Sequence, residues 1–419
     1  MADLSGSLIS QISLSTLGAR LALLSYSCLR LRVRTLPALA RPLRWLRRRF
    51  IPAVIRLAWD ILRFVFAWSR RLGPVNGWYS DLELLQRGGP GVEGRIILLN
   101  QGAPVVTPES PMVLCKRGQH LQQPFPVFWI RHRNVRLIGP GLAHINARKQ
   151  VSVEAVYGRP CVGYDPAYQF FMRGEAVRLA GPWTSIVSRW MQVDKPQAYG
   201  HWLIDALPRL AVLKEFPTGT RILVPGNKAR YQIESLEMLG LSNRCRWTDE
   251  TPIEVEDYYF ASPPSMIACY SPYTVESVRG MLLTLKDSRK ETPKRFFVRR
   301  SGVTRNMTNE TEVLEFFEKA GWTIVDLVNL SFAEQIAWFA GAEAIAGIHG
   351  SGMTNSLWSP RGCKIIELFC DQYIAGDAEW IAQCTGAEYR ALIFPSDLQV
   401  NAVVDLDRVR ATLKSAGLL

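Results

Sequence analysis

The chain has 419 residues, of which 48% are hydrophobic, so it is long enough for two or three domains with ordinary cores. Its net charge of +13 is concentrated at one end, because residues 1–72 contain thirteen Arg and no Lys against Asp3 and Asp60, a net charge of +11. The remaining +2 leaves residues 73–419 nearly neutral, which argues against nucleic-acid binding by this larger part of the chain.

Cysteine and histidine usage argues against structural cross-links. The eight Cys are scattered and form no C-x-x-C pair, which is typical of a reducing compartment rather than of a disulfide framework. None of the five His pairs with a Cys at a metal-ligand spacing. We therefore expect no metal site.

Residues 1–76 are predicted to form a basic amphipathic arm. Its most apolar stretch, 50–68, carries three charges on one helical face: Arg56, Asp60 and Arg63. A charge at the centre of a spanning helix costs about 3 kcal/mol, so a helix lying in the membrane interface is favoured over a span. The arginines within 20–72 would bind an anionic membrane surface, at roughly 1 kcal/mol each. This predicts a peripheral protein on the cytoplasmic face of a membrane, such as a bacterial inner membrane.

Two other interpretations of this arm stay open. Its helices can instead pack on the rest of the chain or pair between subunits. Residues 1–49 are also Ser- and Arg-rich and poor in acidic residues, as in a transit peptide. A secretory signal is not expected, because Asp3 rather than a positive charge precedes the first apolar residues.

After a linker at 73–77, strands and helices alternate. Short β-like runs are predicted at 95–99, 126–130, 135–138 and 151–156. Then come a helix at 199–215, a strand at 221–224, a helix at 229–239, a strand at 258–261 and a helix at 274–288. The C-terminal strands are predicted at 295–299, 323–327, 344–348, 364–369 and 388–394, and the helices at 309–320, 331–341, 375–385 and 404–416. This alternation predicts a parallel, doubly wound α/β sheet.

The first polar motif combines His201 and Asp205, which are four residues apart and therefore share one face of the predicted helix. In a cleft, a His–Asp pair can act as a base and its orienting partner, whereas a structural pair is the alternative. Arg209 lies another four residues along, and Pro208 is expected to kink or end the helix.

The second motif, Arg299 and Arg300, ends a predicted strand. Guanidinium groups there suit phosphate recognition, although a solvated basic patch is the alternative. Asn309 is predicted to cap the next helix, and Glu310 to lie in its first turn.

The third motif follows the strand at 344–348 and has the sequence His349-Gly350-Ser351-Gly352-Met353-Thr354-Asn355. Ligands of parallel sheets bind at the carboxyl ends of strands, where glycines let the backbone approach a diphosphate. A tight structural turn is the equally weighted alternative.

The fourth motif is Glu367, inside the apolar strand at 364–369. A carboxylate there is costly unless it has partners. Near a strand's carboxyl end it can accept the ribose hydroxyls of a nucleotide, whereas an edge-strand acid facing water is the alternative.

Taken together, these motifs resemble glycosyltransferase family 61, the DUF563-type transferases that include capsular polysaccharide enzymes. The matching segments are HWLID and LPRL at 201–210, the VRRSG to NE run at 298–310, 331–358 and KIIELF at 364–369. The resemblance covers about 195–395 and implies a GT-B-like fold with two Rossmann-like domains facing a cleft. The expected domains are the arm 1–76, an acceptor-side domain 77–290 and a nucleotide-sugar-binding domain 291–419.

The resemblance further implies an inverting transfer from a nucleotide sugar, with a UDP-sugar favoured, and neither a divalent metal nor a cofactor. The expected acceptor is a glycan or a lipid-linked molecule of cell-surface polysaccharide synthesis. His201 and Asp205 would face the sugar, with Asp205 as the base and the reverse assignment nearly as good. The implied donor-binding residues are Arg299, Arg300, Asn309, Glu310, His349, Gly350, Ser351, Gly352, Asn355 and Glu367.

Two competing functions were weighed. A hydrolase is disfavoured because the chain has no G-x-S-x-G nucleophile motif. A non-catalytic protein of the same fold, binding sugar or nucleotide within a polysaccharide assembly complex, remains the alternative.

Overall fold

The computed structural model describes residues 77–99, 126–139, 141–148, 150–155, 176–188, 196–248, 252–264, 272–286, 291–300, 305–398 and 400–419. The predicted arm, 1–76, lies outside these residues, so its membrane association stays a prediction. Within the described part of the chain, no helix is both long enough and apolar enough to cross a membrane.

The first half of the chain is rich in strands. Its described strands and helices are β1 (Gly77–Tyr79), α1 (Asp81–Arg87), β2 (Glu93–Leu98), β3 (Val127–Ile138), β4 (Ala143–Ile145), β5 (Gln150–Ser152), β6 (Val177–Ser185), the helical segment 199–215, called α2, β7 (Arg221–Pro225), α3 (Arg230–Met238), β8 (Cys245–Thr248), β9 (Ile253–Ala261) and α4 (Pro272–Leu282). Two predicted strands, 126–130 and 135–138, are one strand, β3.

The second half alternates strictly between strands and helices. Its elements are β10 (Arg295–Arg299), α5 (Glu310–Lys319), β11 (Thr323–Asp326), α6 (Phe332–Ala340), β12 (Ala344–Ile348), a 3₁₀ helix (Ser351–Trp358), β13 (Lys364–Cys370), α7 (Asp377–Thr385), β14 (Glu388–Phe394) and α8 (Leu406–Ser415). The strand bounds predicted at 295–299, 344–348 and 388–394 are confirmed.

The residues form two compact units that interleave along the chain. Of the described residues, those within 77–86, 132–181 and 252–258 belong to unit 1, and those within 87–131, 182–248 and 259–419 belong to unit 2. In unit 1, β1 is parallel to β5, and β4 is antiparallel to both β5 and β3. The GT-B arrangement and the domain boundary at residue 290 stay predictions.

The C-terminal sheet of unit 2 is entirely parallel, in the order β11-β10-β12-β13-β14. Apolar side chains alternate along its strands, so both faces are buried: Phe296 and Val298 pack into one core with α6 and α7, whereas Phe297 packs into another with α5 and α8. The mixed α/β class predicted from the alternating pattern is confirmed.

Local capping explains where the helix α6 begins. The Ser331 hydroxyl accepts a hydrogen bond from the Glu334 N–H at 3.2 Å, and the Glu334 carboxylate accepts one from the Ser331 N–H at 2.9 Å. This reciprocal cap satisfies two backbone donors that the first turn leaves without helical partners. It fixes the helix that leads into β12 and its polar loop.

Candidate active site

The order of the parallel strands defines where a ligand can bind. From β10 the chain crosses to β11 on one side of the sheet and then to β12 on the other. The strand order therefore reverses between β10 and β12, and in open α/β sheets ligands bind outside the carboxyl ends of the strands at such a switch point. The predicted Arg299–Arg300 and 349–355 motifs follow these two strands.

His349 is held in one orientation by a buried carboxylate. Its Nδ1 lies 2.7 Å from Glu367 Oε1, and its ring stacks on Phe369 with centroids 4.7 Å apart. The Tyr389 hydroxyl donates to Glu367 Oε2 at 2.6 Å. Burial, and then the Glu367 charge, raise the pKa of Tyr389 well above its usual value, so the hydroxyl keeps its proton and remains a donor.

Glu367 is completely buried, and both of its oxygens have partners. Its position therefore meets the expectation that a carboxylate inside an apolar strand needs partners. The arrangement resembles an imidazole oriented by a carboxylate, in which Nε2 points away from the acid. The ribose role that the resemblance implies for Glu367 stays a prediction. Ribose binding would require Glu367 to give up its hydrogen bond to His349 or to Tyr389.

Arg299 and Arg300 extend in different directions although they are adjacent. Arg299 is exposed and pairs with Glu310 at 3.0 Å. Arg300 is half-buried, and its Nη1 lies 3.4 Å from the His349 carbonyl oxygen. Burial, and then the charge of Arg305, lower the pKa of Arg300 from its usual value. Arg300 therefore lies at the switch point, in a place where an anion would be stabilised.

Because Gly350 has no side chain, the guanidinium group of Arg300 can occupy the space beside its Cα. A Cβ at Gly350 would lie 2.0 Å from Arg300 Nη1 and 3.3 Å from its Cζ. The φ of Gly350 is 171°, an extended conformation that any residue adopts, so the requirement for glycine here is close approach and not backbone strain.

Gly350→Ala is therefore expected to displace a flexible guanidinium group without disturbing the core. We expect kcat/KM for the donor to fall about tenfold or more, whereas Tm changes by about 2 °C or less. Steady-state kinetics and differential scanning fluorimetry measure the two quantities. Gly347→Ala is the contrasting control, because its Cβ would lie 3.0 Å from the Val298 carbonyl oxygen and should cost about 1–3 kcal/mol of stability. Full activity of Gly350→Ala would contradict this account of Arg300.

Asn309 and Glu310 form hydrogen bonds and an ion pair with neighbouring segments of the chain. Asn309 occupies the N-cap position of α5, but the prediction that its side chain caps the helix is wrong, since it makes no such hydrogen bond. Its amide instead donates to the Val404 carbonyl oxygen at 2.9 Å and accepts from the Val404 N–H at 3.2 Å. Glu310 lies in the first turn, as predicted, and holds Arg299.

Asn355 and Ser351 have opposite environments within the same loop. Asn355 is fully buried; its Oδ1 accepts hydrogen bonds from the Tyr199 hydroxyl at 2.7 Å and from Trp358 Nε1 at 3.1 Å. Its Nδ2 donates to the Gly352 carbonyl oxygen at 3.2 Å. Ser351 is exposed at the start of the 3₁₀ helix. Asn355 thus fixes the loop from its buried side, and Ser351 lies on its solvent-exposed side.

The predicted His201–Asp205 pair forms on α2. His201 Nδ1 lies 2.8 Å from Asp205 Oδ2; the side chain of Asp205 is 1% exposed and that of His201 is 27% exposed. The segment changes type along its length, being α-helical at Tyr199–His201, a π-helix at Trp202–Ala206 and 3₁₀ at Leu207–Glu215. Pro208 explains part of this change, since it has no N–H to continue the α-helical hydrogen bonds. Single π-helical turns are frequent at functional sites.

Arg209, another predicted member of the motif, is buried and donates hydrogen bonds to two backbone carbonyl groups. Its Nη1 donates to the Ala261 carbonyl oxygen at 2.9 Å and its Nε to the Asp205 carbonyl oxygen at 3.3 Å. Arg209 therefore ties the end of β9 to α2.

Within unit 2, the start of α2 packs directly on the 3₁₀ helix that follows β12. A Cβ at Gly200 would lie 2.9 Å from Thr354 Oγ1 and 3.8 Å from Ser351 Cβ. The Tyr199 hydroxyl also lies 2.8 Å from Gln335 Oε1, close enough to share its proton, which links α2 to α6. The two residues before His201 therefore contact the 3₁₀ helix that follows His349.

These features define an α/β chain in which an imidazole–carboxylate pair and a half-buried arginine lie at a strand switch point, and a second such pair lies on α2, whose start packs on the 3₁₀ helix after β12. Residues 199–366 match the family model described as Glycosyltransferase 61. This match, over less than half of the chain, supports the resemblance and with it the glycosyltransferase class. No curated protein matches the chain.

The sequence analysis did not identify several residues that shape this site. Tyr199, Gln335 and Tyr389 act through long-range hydrogen bonds that no spacing reveals. Arg305, within the 298–310 run, has a φ of 62°, and its Cζ lies 4.2 Å from the centroid of the Tyr373 ring. A non-glycine residue in this left-handed conformation is strained, a feature that clusters at ligand sites.

Proposed function

We propose that the chain is an inverting glycosyltransferase that transfers a sugar from a nucleotide-sugar donor, with a UDP-sugar as the first candidate, without a divalent metal or cofactor. The observation that carries this proposal is the close packing of α2 on the loop after β12. Gly200, the residue before His201, contacts Ser351 and Thr354 of the 3₁₀ helix, and Arg300 lies beside Gly350 at the start of that helix, all within one compact unit. A base and an anion-binding group on opposite sides of a small space are what such a displacement requires.

Donor binding is assigned to the switch-point side of this space. The diphosphate would lie at the start of the 3₁₀ helix, between Arg300 and the backbone of Gly350 and Ser351, where N–H groups and guanidinium charge meet the anion. Arg305 adds positive charge on the same side. We assign a supporting role to Arg299, Asn309 and Glu310. Arg299 and Glu310 pair with each other, and the Asn309 amide bonds to the Val404 backbone.

The reaction is a single displacement. The acceptor hydroxyl oxygen bonds to the anomeric carbon as the bond from that carbon to the donor phosphate oxygen breaks. The bonding electrons leave with the nucleoside diphosphate, whose charge Arg300 and the backbone N–H groups stabilise. The acceptor proton passes to the base on α2.

We propose His201 as that base and Asp205 as its orienting partner, which reverses the assignment favoured from the sequence. Asp205 is buried, whereas His201 is partly exposed and lies between that carboxylate and the solvent. If the Asp205 carboxylate accepts the proton of Nδ1, Nε2 carries the lone pair that can take up the acceptor proton.

We further propose a glycan or lipid-linked acceptor of cell-surface polysaccharide synthesis, at the cytoplasmic face of a membrane. The support for this location is the +11 charge and amphipathic pattern of residues 1–72.

The direct test uses the purified full chain and a panel of UDP-, GDP-, CDP- and dTDP-sugars in a thermal-shift assay. One nucleotide class should raise Tm by about 5 °C at a hundredfold excess over Kd, and that donor should slowly release its nucleoside diphosphate. Added Mg²⁺ or Mn²⁺ should not change the release rate. The absence of any stabilising nucleotide sugar at millimolar concentration would refute the donor proposal. Binding without nucleotide release, with membranes and acceptor glycans supplied, would favour the non-catalytic alternative.

A further inference from the structure

Unit 1 contains a second cluster of ionisable side chains that the transfer reaction does not use. Asp81 is the first residue of α1, His132 lies in β3 and His144 lies in β4. His144 Nε2 is 2.7 Å from Asp81 Oδ2, and His132 Nε2 is 3.0 Å from Asp81 Oδ1. The two imidazole rings have centroids 4.5 Å apart, so both face the same carboxylate.

This cluster is buried and rich in negative charge. Asp81 and His144 have no exposed surface, and the side chain of His132 is 13% exposed. Ser152 Oγ lies 2.5 Å from Asp81 Oδ2 and 3.2 Å from Glu154 Oε2. A hydroxyl has one proton and can donate fully to only one of two buried carboxylates, so the cluster favours an added positive charge.

Two polar atoms of the cluster lack hydrogen bonds of good geometry among the described residues. They are Asp81 Oδ1 and His132 Nε2, which are both buried. Asp81 Oδ1 and His132 Nε2 are close enough for a hydrogen bond, but their geometry is not that of one. Each such atom costs about 1–3 kcal/mol when it is left unsatisfied, and a cation between the three side chains would satisfy both of them at once.

We propose that Asp81, His132 and His144 bind one divalent transition-metal ion, for which Zn²⁺ is the natural probe. One ligand atom from each residue lies within 4.8 Å of the others. Two imidazoles and one carboxylate form a ligand set that zinc accepts in tetrahedral sites, with bonds of about 2.0–2.2 Å. Ligand atoms of such a site are about 3.4 Å apart, so the two Asp81–imidazole distances of 3.0 and 2.7 Å would each lengthen by less than about 1 Å.

The proposed ion has a structural role. Its ligands come from α1 and from the successive strands β3 and β4, and a shared ion would fix the start of α1 against both strands. Glu154 already accepts hydrogen bonds from Ser80 Oγ at 2.5 Å and from the Asp81 N–H at 3.0 Å, which holds the Asp81 ligand in place. This proposal replaces the sequence-based expectation of no metal site and is independent of the proposed transfer reaction.

The primary test is a titration of the wild-type full chain after chelator treatment and dialysis. We expect one equivalent of Zn²⁺ per chain by elemental analysis, and a rise in Tm of about 5 °C on adding Zn²⁺ but not Mg²⁺. Co²⁺ in place of Zn²⁺ should give the visible absorption of a four-coordinate N/O site. Less than about a tenth of an equivalent of bound Zn²⁺, with an unchanged Tm, would show that the cluster is a hydrogen-bonded network only.

The variants Asp81→Asn and His132→Gln identify the ligands, because both keep the volume and polarity of the side chain. Each should weaken zinc binding at least about tenfold and remove the zinc-dependent rise in Tm. His201→Gln is the matched control, since it alters a His–carboxylate pair for which the described residues offer no third metal ligand, and it should retain one equivalent. If either cluster variant folds, as judged by circular dichroism, and binds zinc as tightly as wild type, the proposed ligand set is wrong.

Discussion

Replacement of Asp205 by asparagine is expected to lower kcat about 10³-fold, while the Kd of the nucleotide-sugar donor changes by about twofold or less. The side chain is 1% exposed and lies 2.8 Å from His201 Nδ1, so the change leaves the volume of the site intact. Single-turnover transfer and a separate donor titration measure the two quantities. Equal losses in kcat and in donor affinity would indicate a structural role for Asp205.

The physical reason for this loss is the tautomer of His201. An ionised Asp205 can only accept a hydrogen bond, so it favours a proton on Nδ1 and a lone pair on Nε2. An asparagine can donate its amide N–H to Nδ1, which moves the ring proton to Nε2 and removes the acceptor for the substrate proton. The same substitution in a purely structural pair would change stability without this selective effect on kcat.

A companion variant distinguishes the two possible bases. His201→Ala should also lose activity, by about 10²–10³-fold, and added imidazole should restore part of it, because the buried carboxylate can orient the free base in the same space. If Asp205 were the direct base, imidazole would restore nothing and His201→Ala would be the milder of the two variants. Wild-type turnover by both variants would refute the assignment of this pair to the transfer step.

Most of the C-terminal sheet could be predicted from the sequence because its signals are local. Apolar runs such as 295–299 and 364–369 are bounded by turn residues, and the helices between them have apolar faces at helical spacing. The central strands β10, β12 and β13 bury both of their faces, so their hydrophobicity is nearly continuous. The first half was harder, since strands as short as β4 and β5 contain three residues each and carry no periodicity.

The site itself was predicted only as a set of residue types at strand ends. The contrast between Arg299 and Arg300 depends on which side of β10 each faces and on the space beside Gly350, which requires three-dimensional packing. Tyr389 lies 22 residues after the Glu367 that it contacts. The change from α- to π-helix at Trp202–Ala206 likewise follows from how the whole segment packs, because Pro208 alone predicts a kink but not its type.

The proposed metal site, Asp81 with His132 and His144, could not be predicted from the sequence at all. Asp81 lies 63 residues before His144, and the chain between them contributes other segments to the fold. A search for closely spaced Cys and His could not find it, because neither histidine has a neighbouring ligand in the sequence. The pairing of β4 with β3 places His144 opposite Leu137 and not opposite His132, so the strand register alone does not predict that the two imidazoles meet.

Arg300→Ala is expected to reduce kcat/KM for the donor by about 10²–10³-fold, corresponding to about 3–4 kcal/mol of lost transition-state stabilisation. The guanidinium group is half-buried at the strand switch point, beside the His349 carbonyl oxygen and Arg305. Negative charge on the leaving diphosphate grows during the reaction, so the charge of Arg300 should contribute more in the transition state than in the ground state. Arg300→Lys should recover only part of the loss, since a lysine lacks the planar fork.

Arg299→Ala is the matched control for this prediction, because it removes an adjacent residue of the same type. Arg299 is exposed and pairs with Glu310, and exposed ion pairs contribute about 1 kcal/mol or less. Its loss should therefore change kcat/KM by about fivefold or less. Parallel steady-state kinetics on both variants, with nucleoside diphosphate as a competing ligand, measure the difference directly. Similar losses in the two variants, or a larger loss in Arg299→Ala, would move the diphosphate away from the Gly350 side of the sheet and require another anion-binding group.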